Sequence, residues 1–265
     1  MLIHRIAQTA LFATAVFTLP QNLGADEVTI MPLGDSITAG FNGPPTDDRG
    51  SYRHELGTLL DNAGYDIDFV GEFQRGPDDP DHQGLSGATI DRMVRDFGPA
   101  LATFQPDYAL ILAGTNNHGN GPDDDYFVGQ YRDLVNMVRD NSADTKIIFA
   151  TVPKFGYDRN PPASFWTREY VDFRNNETFP SMNRAINQVA GEFDDISVVD
   201  YYAIFDIETD LVSDAVHPNR LGHQKLANLF FGELSSQFSA VPEPSSFALL
   251  GLATCAIVTR RRRRM

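Results

Sequence analysis

Three residues in two distant segments of this chain could together activate a hydroxyl group for attack on a carbonyl carbon. Ser36 follows an apolar run at residues 28–33 and a glycine turn. A serine hydroxyl is a weak nucleophile by itself and needs a neighbouring base. Asp214 and His217 are three residues apart, a spacing at which a carboxylate can orient an imidazole and stabilise its protonated form. The pattern predicts Ser36 as nucleophile, His217 as base and Asp214 as the triad acid.

A second aspartate–histidine pair, Asp79 and His82, has the same spacing, so spacing alone does not identify the base. This pair lies in a segment rich in Pro, Gly and Asp after the second predicted strand. Asp214 and His217 instead follow the last predicted strand, at the sheet end where Ser36 is expected, and location therefore favours them. The alternatives are that Ser36 and His217 only cap the helices that follow them.

Two further turns each follow a predicted strand directly. Residues 84–87 read Gly-Leu-Ser-Gly and residues 114–117 read Gly-Thr-Asn-Asn. Glycine lets a substrate oxygen approach a backbone N–H closely, and an asparagine side chain can donate to the same oxygen. Together with the N–H of Ser36, these turns predict an oxyanion hole.

The elements that must position these residues alternate between strands and helices. The predicted strands are short and nearly wholly apolar, and they lie at residues 28–33, 66–70, 108–112, 146–151 and 196–200. The predicted helices lie at residues 52–63, 89–104, 126–140, 180–193 and 219–238. This pattern predicts an α/β fold in which a five-stranded parallel sheet is buried between two helical layers. Active sites of such sheets lie at the carboxyl ends of the strands.

The two ends of the chain read as targeting segments around a domain at residues 26–240. Residues 1–25 have a basic start, a short apolar run and a small-residue end, which favours a signal peptide over a transmembrane anchor. Residues 241–265 contain Pro-Glu-Pro, an apolar run and five consecutive arginines. This tail resembles the PEP-CTERM sorting signal, which implies an exosortase-type processing partner, export to the periplasm, cell surface or matrix of a bacterium with an outer membrane, and only transient membrane contact.

Net charge and cysteine content exclude several classes of substrate and of site. Removing the two end segments leaves 15 basic (21 − 6) and 35 acidic (36 − 1) residues, so the net charge is −20 compared with −15 for the whole chain. Such a domain repels nucleic acid and anionic membranes, and a neutral substrate suits it better. The only cysteine, Cys255, lies in the tail, which excludes a disulfide, a thiol nucleophile and a thiolate metal site from the domain.

Taken together, the four turns resemble the four blocks of the SGNH hydrolases, which have a flavodoxin-like fold. The resemblance assigns the serine to Ser36, the glycine to Gly87, the asparagine to Asn116 and the histidine to His217, with Asp214 as acid. It implies an acyl-enzyme mechanism without a cofactor, and an oxyanion hole made by the Ser36 and Gly87 N–H groups and Asn116. The third block of the family usually ends Asn-Asp, whereas this chain has Asn117.

More narrowly, several stretches look like the family-3 carbohydrate esterases, which deacetylate xylan. They are residues 31–38, 50–53, 68–71, 82–87 and 214–222. The implied substrate is an acetylated polysaccharide or a small acyl ester. A lipase-like or general short-chain esterase is the second interpretation, and a surface-matrix or glycan-binding protein that merely keeps the fold is the third.

Some polar and aromatic residues outside the blocks are candidates for substrate contact. His118 follows the third block, and Trp166 lies in an aromatic segment at residues 155–179 that has no clear periodicity. This segment reads as a long functional loop or an irregular excursion. Arg53 is expected to pair with an acid near the rim of the site. The aspartates at residues 78–81 and 123–125 lack the spacing of a calcium loop, so no metal site is predicted.

Overall fold

The computed structural model describes residues 27–40, 51–117, 119, 121–157 and 167–239. The predicted signal peptide, the predicted tail, His118 and Trp166 lie outside these residues. The strands are β1 (Val28–Gly34), β2 (Ile67–Phe69), β3 (Phe73–Gln74), β4 (Asp81–Gly84), β5 (Tyr108–Leu112), β6 (Lys146–Ala150) and β7 (Ile196–Val199). The helices are α1 (Ser36–Ala39), α2 (Tyr52–Asn62), α3 (Ile90–Asp96), α4 (Gly98–Phe104), α5 (Asp124–Asn141), α6 (Arg168–Phe173), α7 (Phe179–Ala190), α8 (Tyr201–Ile204) and α9 (Arg220–Ser239).

The sheet has the order β3-β4-β1-β5-β6-β7, and β2 also pairs with β1. One edge of β1 pairs with β2 near Val28 and with β4 at Leu33 and Gly34, while its other edge pairs with β5. The three pairings of β1 are parallel, as are those of β5 with β6 and of β6 with β7, so the predicted α/β class is confirmed. The carboxyl ends of β1, β4 and β5 therefore meet at one end of the sheet.

The prediction of five strands was wrong, because the described residues form a sheet of seven. The two additional strands are β3 and β4. Both are short, and β4 reads Asp-His-Gln-Gly, which contains no apolar run that would indicate a strand. β3 pairs antiparallel with β4 at the edge of the sheet.

The helix predicted at residues 89–104 is two helices, α3 and α4. Pro99 lies in the first turn of α4. Proline has no N–H to donate and its ring crowds the preceding turn, so it interrupts the helical hydrogen bonding at this position. The aromatic segment at residues 155–179 is also partly regular, since it contains α6 and a π-helical turn, Arg174–Thr178.

Apolar side chains pack against both faces of the sheet. Along β5, Ala109 and Ile111 join the core under α3, α5 and α7, whereas Leu110 and Leu112 join the core under α2 and α9. Successive strand residues point to opposite faces, so a strand that is apolar throughout requires a helical layer on each side. Within the described ranges, none of the helices combines the length and the apolar character needed to cross a bilayer.

Candidate active site

A continuous chain of hydrogen bonds links Asp214, His217 and Ser36. His217 Nε2 lies 2.9 Å from Ser36 Oγ, and His217 Nδ1 lies 2.7 Å from Asp214 Oδ2. With Nδ1 donating to the carboxylate, Nε2 is left to accept the hydroxyl proton of Ser36. The structure therefore brings together the three residues that the sequence predicts as a triad.

Ser36 begins α1 directly after β1, on a turn that requires glycine. A Cβ at Gly34 would lie 2.4 Å from Thr38 Oγ1 and 2.6 Å from the carbonyl oxygen of Leu112, so no side chain fits there. Asp35 caps α1 by accepting a hydrogen bond of 2.9 Å from the N–H of Ile37. This turn places the Ser36 hydroxyl at the carboxyl end of the sheet.

The turn that carries Asp214 and His217 is held by backbone bonds to the aspartate itself. Asp214 Oδ1 accepts from the N–H groups of Val216 and His217, each at 2.9 Å. Ala215, which follows Asp214, has a φ of 63°, a left-handed conformation that residues other than glycine rarely adopt. One carboxylate oxygen thus shapes the turn, and the other orients the imidazole.

The charge of Asp214 is favoured in this setting. Burial by itself raises the pKa of Asp214, but hydrogen bonds from the His217 ring and from the His217 and Val216 N–H groups outweigh it and hold the pKa below its usual range. The carboxylate is therefore ionised at neutral pH and can stabilise a protonated His217.

The competing pair, Asp79 and His82, forms no dyad. His82 is buried, and its Nδ1 accepts a hydrogen bond of 3.0 Å from the N–H of Gly84. Burial, together with the charges of Arg53 and Arg75, lowers the pKa of His82 to about 3. His82 is therefore neutral, and its ring stabilises β4 by binding the N–H of Gly84.

The residues proposed for the oxyanion hole lie on adjoining turns. The Asn116 side chain donates a hydrogen bond of 3.0 Å to the carbonyl oxygen of Ala88, the residue after Gly87. Gly87 has a φ of 75°, a left-handed conformation available to glycine without strain. Asn117 is buried, and its side-chain oxygen accepts from the N–H of Ile90 at 3.2 Å. The amide at position 117 therefore supplies an acceptor without a charge.

Comparison with known proteins gives the family. Residues 33–225 match the GDSL-like Lipase/Acylhydrolase family. The chain belongs to this family. Residues 240–264 match the PEP-CTERM protein-sorting motif, which indicates export by a sorting system of Gram-negative bacteria. The resemblances to the SGNH (GDSL-type) hydrolases and to the PEP-CTERM sorting signal are thereby confirmed.

Individual relatives of this GDSL-like hydrolase include carbohydrate esterases. A family 3 carbohydrate esterase from Clostridium thermocellum is 28% identical, with a TM-score of 0.61 over 78% of this chain and 94% of that chain. A family 3 enzyme from Talaromyces cellulolyticus shares the fold, with 23% identity and a TM-score of 0.63 over 81% of this chain and 100% of that chain. A multidomain esterase of Ruminococcus flavefaciens is 28% identical over 250 residues, which cover 83% of this chain but only 30% of that protein.

Arg53 supports the Ser36 turn of this GDSL-like hydrolase in a way that the sequence did not indicate. In place of the predicted acid partner, its buried guanidinium donates to the backbone carbonyl oxygens of Thr38, Arg75, Pro80 and Asp81 at 2.7–3.3 Å. The guanidinium thereby ties the end of α1 to the segment that leads into β4. Among the described residues, no group of three or more His, Cys, Asp or Glu side chains converges as a metal site.

Asp35 is a second feature that the sequence did not indicate as special. Its carboxyl group is completely buried next to Ser36. Burial raises the pKa of Asp35 to about 6, although the hydrogen bond from the Ile37 N–H and the charge of His217 lower it. At neutral pH this GDSL-like hydrolase thus holds a costly buried charge close to its histidine.

We expect Asp35→Asn to make the protein more stable and less active. Between the ordinary pKa of 3.8 and the folded pKa of about 6, the native state binds more protons than the unfolded state, so ionisation of Asp35 costs stability as pH rises. The shift corresponds to on the order of 3 kcal/mol, and a gain of about 1–3 kcal/mol at pH 8 should shrink towards zero near pH 4. We expect kcat/KM for hydrolysis of a small ester such as p-nitrophenyl acetate to fall roughly tenfold, because the variant loses a negative charge that favours protonated His217.

Urea unfolding of the variant and the wild type across this pH range measures the difference between their unfolding free energies. Other titrating groups contribute equally to both proteins, so their contributions cancel in this difference. Asp35→Ala is the matched control: it removes the same charge but also removes the acceptor that caps α1, and it should therefore be less stable than Asp35→Asn. A variant Asp35→Asn that is less stable than the wild type at pH 8 would contradict the cost assigned to this charge.

Proposed function

We propose that this protein is an exported serine esterase that hydrolyses O-acyl esters of carbohydrates, O-acetyl esters first among them. The observation that carries the proposal is the unbroken link from Asp214 through His217 to Ser36 Oγ, with distances of 2.7 and 2.9 Å. This geometry suits removal of the serine proton by His217 at the moment when the hydroxyl attacks.

In the proposed mechanism, His217 Nε2 takes the proton of Ser36, and Ser36 Oγ attacks the ester carbonyl carbon. The negative charge that develops on the carbonyl oxygen is stabilised by the N–H groups of Ser36 and Gly87 and by the Asn116 side chain. His217 then protonates the departing sugar oxygen, which leaves an acyl group on Ser36. A water molecule, activated by the same histidine, releases the acid and restores the serine.

One observation supports a carbohydrate substrate over a lipid. The Clostridium thermocellum relative, which is 28% identical, is a family 3 carbohydrate esterase. His118 and Trp166 remain the proposed substrate contacts.

A glycan-binding protein that merely keeps the fold is the non-enzymatic alternative. Binding alone does not require a serine, a histidine and an aspartate in hydrogen-bond contact, or an ionised Asp214 beside His217. We also propose that residues 1–25 are a signal peptide, residues 26–240 the hydrolase domain and residues 241–265 a tail for an exosortase-type enzyme. The PEP-CTERM match at residues 240–264 supports the tail.

The test is release of acid by the purified protein from acetylated xylan and from p-nitrophenyl esters of acetate and decanoate. We expect acetate release from xylan, and kcat/KM for the acetyl ester at least about tenfold above that for the decanoyl ester. Preference for decanoate would favour the lipase-like interpretation. If only p-nitrophenyl acetate is cleaved, the protein is an esterase but xylan is not its substrate. If no ester is cleaved, the glycan-binding interpretation is favoured.

A further inference from the structure

The π-helical turn Arg174–Thr178, which joins α6 to α7, sends two consecutive side chains into the protein. Arg174 is completely buried, and Asn175 is 7% exposed. Single π-helical turns are rare within helices and occur often at functional sites. Because adjacent residues of a helix point in different directions, one turn can reach two separate loops.

Arg174 reaches the loop that carries the proposed oxyanion donor. Its Nη1 donates a hydrogen bond of 2.8 Å to the carbonyl oxygen of Asn117, the residue after Asn116. The guanidinium also lies 4.5 Å from the ring centroid of Phe179, so its charge is held against an aromatic face. A buried cation that binds this backbone oxygen fixes the position of the Asn116 loop.

Asn175 reaches the loop after β6 and, through it, the turn of the acid and the histidine. Its side chain accepts from the N–H of Phe155 at 2.9 Å and donates to the carbonyl oxygen of the same residue at 2.8 Å. The next residue, Gly156, donates its N–H to the carbonyl oxygen of Ala215 at 2.8 Å. Ala215 is the left-handed residue between Asp214 and His217.

We propose that Arg174 and Asn175 are positioning residues that align the two halves of the esterase site from one π-helical turn. Arg174 holds the oxyanion side through Asn117, and Asn175 holds the acid–histidine side through Phe155 and Gly156. The inference rests on the proposed function, because it assigns these residues to the same reaction.

The variants Arg174→Met and Asn175→Leu test the proposal in the full-length protein. Asn183→Leu is the matched control: Asn183 is 8% exposed and makes the same pair of bonds, at 2.7 and 3.2 Å, to the backbone of Val152 in the same loop. We expect all three variants to lose stability. Below their unfolding temperatures, only Arg174→Met and Asn175→Leu should lose roughly tenfold or more in kcat for p-nitrophenyl acetate, with little change in KM.

Repeating both substitutions in an Asn116→Ala variant separates the effect on the oxyanion side from the effect on the acid–histidine side. In Asn116→Ala, the loss caused by Arg174→Met should largely disappear, because the donor that Arg174 positions is absent, whereas the loss caused by Asn175→Leu should remain in full. Arg174→Lys, which keeps a cationic donor for the Asn117 carbonyl oxygen, should recover most of the activity and serves if Arg174→Met does not fold. Asn175→Asp, which keeps the acceptor for Phe155, serves in the same way.

Unchanged kcat in folded variants, or equal losses in Asn183→Leu, would overturn the proposal and leave Arg174 and Asn175 as structural residues. A fall in kcat caused by Arg174→Met that is equally large in the presence and in the absence of the Asn116 side chain would also overturn the proposal. These results differ from a failure of the proposed function, in which the wild-type protein itself hydrolyses no ester.

Discussion

Replacing Ser36 with alanine is expected to lower kcat/KM for p-nitrophenyl acetate by at least about 10⁴-fold, because removal of a triad nucleophile leaves only binding and the oxyanion donors. The Ser36 hydroxyl lies 2.9 Å from His217 Nε2, and the residue is 7% exposed. Its backbone geometry is set by Gly34 and Asp35, which the variant keeps. The protein should therefore fold normally and lose its activity.

Ester hydrolysis and labelling by a fluorophosphonate, which reacts with activated serines, measure this effect together. Ser236→Ala on α9 is the control for loss of a serine hydroxyl, and it should keep full activity and labelling. Persistence of labelling in Ser36→Ala, or a loss of activity below about tenfold, would show that another residue is the nucleophile.

Asp214→Asn is expected to lower kcat by about 10⁴-fold although it only replaces one carboxylate oxygen with an NH₂ group. In the wild type, Oδ1 of Asp214 accepts from two backbone N–H groups, and Oδ2 accepts from His217 Nδ1. An asparagine must keep its oxygen on the two N–H donors, so its NH₂ group faces Nδ1. The histidine then carries its proton on Nε2, and it cannot accept the proton of Ser36.

Comparison of Asp214→Asn with Asp214→Ala separates this tautomer effect from loss of the turn. The asparagine variant should unfold within a few degrees of the wild type, since its amide oxygen retains the backbone bonds, whereas the alanine variant loses them and should be less stable. The low-field proton resonance of the His217 Nδ1–H bond should disappear in both variants. Activity of Asp214→Asn within tenfold of the wild type would remove Asp214 from the mechanism.

Much of the α/β fold could be predicted from local patterns. The apolar run of β5 and the runs that include most of β1, β6 and β7 indicate strands, because a strand buried on both faces has few polar positions. The amphipathic spacing of α2 and α5 similarly indicates helices. β3 and β4 could not be found in this way, since their short sequences contain no apolar run and form strands only through pairing with neighbours.

The sequence by itself determined the residue types of the candidate site and, through the order of strands and turns, that they meet at one end of the sheet. Ser36 and His217 are 181 positions apart, so only the folded chain decides that their side chains are in contact. The tertiary structure also decided between two equally spaced Asp–His pairs, because His82 is buried and neutral whereas His217 faces Ser36.

The burial of Asp35, the four carbonyl oxygens around Arg53 and the contacts of Arg174 and Asn175 were likewise decided by tertiary structure alone. Each of these features depends on contacts with residues from distant segments, and no local spacing or periodicity in the sequence predicts such contacts.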